Sequence, residues 1–258
     1  RARPEGNVPV APTGLRVDAW ATGLGGARWM GLSPNGDVFV TDHQGGRVLV
    51  FRDDDHDGRA ETRLTFVRNL ELPLGVAFHP DGWLYVAATN EVRRYRYAPG
   101  QTAAQDGGER IAALPGRGYN QHWTRNVILS PDGRTLYVTV GSETNVEPEE
   151  DPRRAAISAC DPDGQHFRPF ATGLRNPLGM AFHPDTGALY TTVNERDLLG
   201  DDLVPDYLTS VRAGAFYGWP YAYFGAHEDP RRAGERPDLV ASAVVLARSP
   251  LPQAPLMT

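Results

Sequence analysis

The stretch "MGLSPNGDVFVTD", residues 30–42, decides how this chain is read, because its pattern returns three times. The later copies are "VAFHPDGWLYVAA" (76–88), "VILSPDGRTLYVTV" (127–140) and "MAFHPDTGALYTTV" (180–193). Each is an apolar strand, a turn of the Ser/His-Pro-Asp/Asn-Gly type, and a second strand alternating apolar with small or polar residues. Proline sets φ for such a turn, and glycine supplies the positive φ that closes it. The turns begin at residues 33, 79, 130 and 183. Spacing of that size suits the four-stranded blade of a β-propeller with loop insertions. His79 and His183 stand where Ser33 and Ser130 stand in the other copies. A position shared by Ser and His is read as a turn cap.

Outward from the turns, "RVLVFRD" (47–53) and "TRLTFVRNL" (62–70) supply third and fourth strands to the first unit. "AAISACDPDG" and "FRPFATGL" (167–174) do the same for the third. The ending "ATGL" recurs at 21–24 within "LRVDAWATGL" (15–24), so a fourth strand precedes any first strand. In a closed propeller that is the ring clasp, yet no further turn-anchored pair follows residue 226. The expectation is therefore an all-β, incomplete propeller of about four blades in an open ring. It divides into a lead-in over 1–14, a single partial propeller over 15–245 and an irregular, Pro-rich tail over 246–258. The lone fourth strand at 15–24 is expected to be unpaired or poorly paired.

Composition agrees with this class. The 258 residues include 28 Gly and 22 Pro, scattered without a triplet period, as the punctuation of many turns requires. The net charge of −6 argues against a nucleic-acid role. All 26 basic residues are Arg, which excludes Schiff-base chemistry on lysine and leaves the guanidinium as the fixed cation for an anionic ligand. Cys160, alone and in an apolar run, reads as a small core residue. No apolar run reaches the length of a membrane span. No G-x-S-x-G, dinucleotide fingerprint, P-loop or H-E-x-x-H occurs, against nicotinamide enzymes, α/β-hydrolases and zincins.

Chemistry gathers at strand entrances. "GYNQHWTRNVILS" (118–130) crowds Gln121, His122, Trp123 and Arg125 before the third unit's inner strand. No other unit has a counterpart of His122, and an imidazole beside a propeller channel is suited to act as a general base. The alternative is a loop histidine bonded to its neighbours. Arg125 is suited to hold an anion or to pair with an acid. Arg175 and Asn176 open the fourth unit's inner strand in "GLRNPLGMAF" (173–182), for a polyanionic ligand or an inter-blade ion pair. "NERDLLGDDLVPDYL" (194–208) carries Glu195, Asp197, Asp201, Asp202 and Asp206, the oxygen-rich loop that Ca²⁺ takes, or a solvated one. "FYGWPYAYFG" (216–225) is core or the wall of a flat ligand's pocket. Asp53, Asp55 and Asp57 alternate before Gly58, but the twelfth position is Leu64, so this is no EF-hand. It reads first as a polar turn and second as a peripheral Ca²⁺ site.

With those motifs in order over about residues 15–235, the chain resembles the sorbosone dehydrogenase and soluble aldose/glucose dehydrogenase group. These are pyrroloquinoline quinone (PQQ) enzymes on six-bladed propellers. The resemblance implies His122 as the base that takes the proton of a sugar hydroxyl while hydride passes to the quinone. It implies PQQ contacts from Gln44, Arg125, Arg175 and Asn176. It places Ca²⁺ at the acidic loop and Tyr217, partly through main-chain oxygens, with the ligands drawn from Asp201, Asp202 and their neighbours. It also implies an external electron acceptor and a periplasmic or secreted location. The chain departs from the pattern at Gly141-Ser142, where the glucose enzymes have Gly-Asp orienting the histidine, and at Gln121, which replaces an acid. The family's last two blades have no match, and the tail from about Val245 departs as a truncation would. Competing functions are a calcium-dependent propeller lactonase and a non-catalytic binding propeller.

Overall fold

The computed structural model describes residues 9–116 and 122–244. The first repeat unit forms a four-stranded antiparallel blade of β1 (Ala27–Leu32), β2 (Val38–Asp42), β3 (Arg47–Arg52) and β4 (Thr62–Val67). The second is β5 (Val76–His79), β6 (Trp83–Ala88), β7 (Glu91–Arg96) and β8 (Glu109–Ala113). The third is β9 (Val127–Leu129), β10 (Leu136–Val140), β11 (Ala156–Cys160) and β12 (Arg168–Thr172). The fourth has three strands, β13 (Asn176–Phe182), β14 (Leu189–Asn194) and β15 (Tyr207–Ser210). A short hairpin, β16 (Ala222–Tyr223) with β17 (His227–Glu228), and one helix, α1 (Pro237–Ser242), complete the described elements.

The quoted turns close as their chemistry requires. Gly36, Gly82, Gly133 and Gly187 take φ of +88°, +79°, +71° and +67°. Ser130 Oγ accepts the amide of Thr135 at 2.9 Å, while His79 and His183 accept the amides of Asp81 and Asp185 on Nδ1 at 3.0 and 3.2 Å. His79 then donates from Nε2 to the Gly133 carbonyl at 2.9 Å, tying the second blade's turn to the third's. These histidines cap turns, as the repeat predicts.

Inner strands follow one another around the channel. Gly75, before β5, lies so close to the start of β9 that a methyl there would come within 2.6 Å of the Val127 nitrogen. Between blades the packing is apolar. Phe39 of β2 is fully buried, with ring centroids 5.2, 4.9 and 5.6 Å from Phe66, Phe78 and Tyr97. Removing such a ring costs about 3–5 kcal/mol. Cys160 sits in the core between the second and third blades, and burial pushes its thiol up to about 12, so it is inert.

The fold is all-β, with four blades of a propeller in an open arc. The open end shows on β1, where Met30 and Leu32 are 69% and 71% exposed. Residues 15–24 form no strand. They lie against the first blade through Trp20, Ala21 and Leu24, with one main-chain bond from the Ala60 amide to the Trp20 carbonyl at 3.0 Å. Residues 215–217 extend the outer strand of the third blade instead of completing the fourth. The Thr172 amide donates to the Ala215 carbonyl at 3.0 Å, and the Tyr217 amide returns a bond to Thr172 at 2.8 Å. The expected irregular tail lies outside the described residues. Among those described, no helix is long and apolar enough to cross a membrane.

Candidate active site

Up-and-down strand order puts the loops between second and third strands at the same end as those leading into first strands. That end carries Gln44, His122, Arg125, Arg175, Asn176, Asp201 and Asp202. The β2–β3 turn brings His43 and Gln44; the segment before β9 brings His122 and Trp123. The two meet: the His43 ring stacks on Trp123 at 5.0 Å and 11°, and the Trp123 carbonyl accepts the Thr89 hydroxyl at 3.0 Å. Gln44 is exposed beside this stack. Gln121 lies outside the described residues.

His122 is 9% exposed. Its Nδ1 lies 2.9 Å from the Ser142 carbonyl and 3.0 Å from the Ser142 hydroxyl. A carbonyl only accepts, so Nδ1 carries the proton and Nε2 the lone pair. Burial, with the Arg175 charge adding, pulls the imidazole down to about 4. It is therefore neutral at pH 7, the form a general base needs.

Arg175 and Asn176 join His122 through the loop after β10. The Ser142 amide donates to the Arg175 carbonyl at 2.7 Å. A methyl on Gly141 would lie 2.4 Å from Asn176 Oδ1 and 2.6 Å from His122 Cβ, so only glycine lets the two side chains share this space. Asn176 is 7% exposed, and its Oδ1 is buried without a hydrogen-bond partner among the described residues. A buried acceptor left unmade costs about 1–3 kcal/mol, which a bound donor would offset. Arg175, 3% exposed, is held by oxygens: Asn145 O at 3.2 Å, Asn145 Oδ1 at 2.7 Å, Asp197 Oδ2 at 3.3 Å, and the carbonyls of Asn194 and Glu195. Burial lowers its pKa, but it stays cationic at neutral pH.

Two predicted residues take other places. Arg125 is 0% exposed, with its guanidinium turned to main-chain carbonyls. Its guanidinium donates to the carbonyls of His122 (2.6 Å), Thr124 (2.8 Å) and Pro115 (2.9 Å). Burial pushes it down to about 9, still charged at pH 7, and its donors brace the segment that carries His122. Tyr217, 2% exposed, packs in the core between the third and fourth blades and donates its hydroxyl to the Ser210 carbonyl at 2.7 Å. Its side chain is committed to the fold and is not poised as a metal ligand.

The acidic loop after β14 is divided. Glu195 is 6% exposed and burial raises it to about 8, so it is mostly protonated at pH 7. Asp206 accepts the Glu195 amide at 2.9 Å and the Asn194 amide group. Asp201 and Asp202 are exposed and stand outside this bonded group. Among the described residues they belong to no group of three or more converging acids or histidines. Among the described residues the acids whose oxygens come together are Asp53, Asp55, Asp57 and Glu61, one from each within 4.8 Å. There the Asp53 and Asp57 carboxylates accept the amides of Gly58 and Arg59, as in a polar turn.

Sequence reasoning missed Ser142's role and Asn145. The Asn145 side chain bonds Arg175 and, at 3.0 Å, the Asp197 amide, and its carbonyl accepts the Trp219 indole at 2.9 Å. The departure at Gly141-Ser142 marked this loop, but Asn145's partners lie 30 to 74 residues away in sequence.

Comparison with known proteins supports the fold. The chain is 23% identical to a carbohydrate-active enzyme of family AA12 from Trichoderma reesei, with a TM-score of 0.70, covering 88% of this chain and 64% of that one. The holo form of the pyranose dehydrogenase PQQ domain from Coprinopsis cinerea gives 19% identity and a TM-score of 0.73 over 88% of this chain and 66% of that one. A putative oxidoreductase (glucose dehydrogenase) from Thermus thermophilus gives 26% and 0.62, over 84% and 71%. An uncharacterized protein of Borreliella burgdorferi is 24% identical over 169 residues, 62% of this chain and 44% of that protein. The chain thus spans less than half of that curated relative and less than two thirds of the Trichoderma enzyme. The TrAA12-like family model matches residues 9–204, and the chain belongs to that family.

Proposed function

We propose that this chain is the catalytic-face portion of a PQQ-dependent oxidoreductase that oxidises a sugar hydroxyl. The observation that carries the reading is the buried, neutral His122 with Nδ1 committed, packed beside the Arg175 guanidinium and an Asn176 Oδ1 that has no partner among the described residues. When bound, PQQ supplies a two-electron acceptor for the hydride of the substrate C–H. His122 Nε2 takes the proton of the hydroxyl on that same carbon, so one proton stays on the protein as two electrons leave the substrate. Arg175 and Asn176, with Gln44 from the first blade, are the residues that would hold the quinone by its polar groups. Arg175 is able to do so by releasing Asp197, which is 69% exposed and 3.3 Å away. Arg125 acts from beneath, through the main chain of His122.

Calcium fits less well than the quinone. Asp201 and Asp202 stand apart, Tyr217 is committed elsewhere, and the carbonyls of Asn194 and Glu195 already surround Arg175. A Ca²⁺ held by this loop requires it to regroup, and no step is derived through the ion. The sugar is an aldose- or sorbosone-type substrate, and the electrons pass to an external acceptor.

The test is His122→Ala. It is expected to leave PQQ binding nearly unchanged while lowering quinone-dependent dye reduction by about 10²- to 10⁴-fold. Turnover within threefold of the parent would end the assignment of His122 as the base.

A further inference from the structure

We propose that Ser142 is the positioning residue for His122, its carbonyl and hydroxyl oxygens jointly holding the Nδ1 proton so that Nε2 presents the lone pair. The inference rests on reading His122 as the base, and it says how this chain orients that base without a carboxylate. Ser142 is 0% exposed, and each of its polar groups is assigned. The hydroxyl donates to the Thr144 carbonyl at 2.6 Å, which turns an oxygen lone pair toward Nδ1 at 3.0 Å. The carbonyl accepts from the same Nδ1 at 2.9 Å. The Ser142 amide is fixed from the other side by the Arg175 carbonyl at 2.7 Å. The hydroxyl cannot serve Nδ1 as a donor while its hydrogen lies toward Thr144. A shared Nδ1–H is the arrangement that satisfies all four groups.

The consequence is electrostatic. A carboxylate at this position would stabilise the imidazolium, whereas a carbonyl and a hydroxyl stabilise it far less. The charges facing His122 are Arg175 at the start of β13 and Arg125 beneath it, both cationic, with Asp197 opposing them from the β14–β15 loop. Asp197 is 69% exposed, so solvent screens it and the balance stays against the protonated ring. Ser142 thus fixes the tautomer, and its carbonyl bond raises the imidazole only part of the way back against burial and the Arg175 charge.

The experiment is histidine-selective ¹⁵N NMR on the whole chain without quinone. His122 is assigned with His122→Ala, and its tautomer and titration are followed in the parent, Ser142→Ala and Ser142→Asp. The parent should show the Nδ1–H tautomer. Ser142→Ala should admit a measurable share of the Nε2–H form, and Ser142→Asp should raise the midpoint by about 1–3 pH units. An Nε2–H tautomer in the parent overturns the proposal and needs no variant to fold. So does an unchanged tautomer in Ser142→Ala together with an unchanged midpoint in Ser142→Asp. Quinone-dependent dye reduction on the same proteins separates the two ideas. Turnover with an Nε2–H His122 overturns the role of Ser142 and leaves the dehydrogenase reading. An Nδ1–H His122 without quinone-dependent turnover supports Ser142 and removes the dehydrogenase reading.

Discussion

Replacing Gly141 by alanine tests whether His122 and Asn176 must share one space to work. The added Cβ would meet Asn176 Oδ1 at 2.4 Å and His122 Cβ at 2.6 Å. Carbon atoms at rest sit about 3.5–4.0 Å apart, so His122 or the 141–142 backbone must give way by roughly 1 Å. Neither has room: His122 is tethered to Ser142, and Asn176 opens a strand whose amide positions are fixed by pairing with β14. Gly141 does not take a positive φ, so the penalty is steric rather than conformational. Overpacking of this kind costs about 1–3 kcal/mol of stability. A displacement of about 1 Å at a reacting group costs roughly 10²-fold in rate. The assay pairs urea unfolding with quinone-dependent dye reduction under conditions where the variant is still folded. The expected result is a modest fall in the urea midpoint and a rate loss near 10²-fold. Gly141→Ala with the parent's rate and midpoint would refute the idea that these two side chains are placed by this contact.

Other outcomes follow from the same geometry. Because His122 falls to about 4, the unfolded chain binds a proton there more readily than the folded one between about pH 6.5 and 4, so its contribution to stability is lost as pH falls through that window. Turnover should accordingly stay level near neutrality and drop only as pH approaches 4; a loss centred near 6.5 would contradict the buried neutral imidazole. Arg125→Met should lower stability by several kcal/mol in urea unfolding, because three buried carbonyls lose their donor; loss of PQQ affinity with stability unchanged would instead make Arg125 a cofactor contact. If Ca²⁺ completes the site, chelation should abolish turnover and added Ca²⁺ restore it, whereas full activity after rigorous chelation would exclude a catalytic ion.

The blades were legible because their information is local. A Pro, a positive-φ Gly and a Ser or His cap specify a turn within five residues, and four such turns at near-constant spacing count four blades. His122, Arg175 and Asn176 stood out in the sequence for a related reason: each stands at the entrance of an inner strand, where a buried polar side chain needs a partner, and the structure brings the three together at one end of the blades. Whether a guanidinium faces the channel or the main chain beneath it is not written in that position. Arg125 turned inward because the carbonyls of Pro115, His122 and Thr124 converge there, a convergence set by tertiary structure. Asn145 was illegible because its bonds draw on the entrance of β13, the loop after β14 and Trp219, brought together only when two blades pack. For Tyr217 the sequence could not separate a pocket wall from a core, because an aromatic-rich run suits both; its side chain packs in the core at the edge of the third blade.

The central claim is that His122, Arg175 and Asn176 form a quinone-dependent oxidation site. Its most direct test is dye reduction by the purified chain with a panel of aldoses, measured against added PQQ. The account predicts reduction that saturates with PQQ, needs the sugar, and is lost in His122→Ala while PQQ still binds. Dye reduction that is indifferent to PQQ, or no saturable PQQ binding at all, would contradict it.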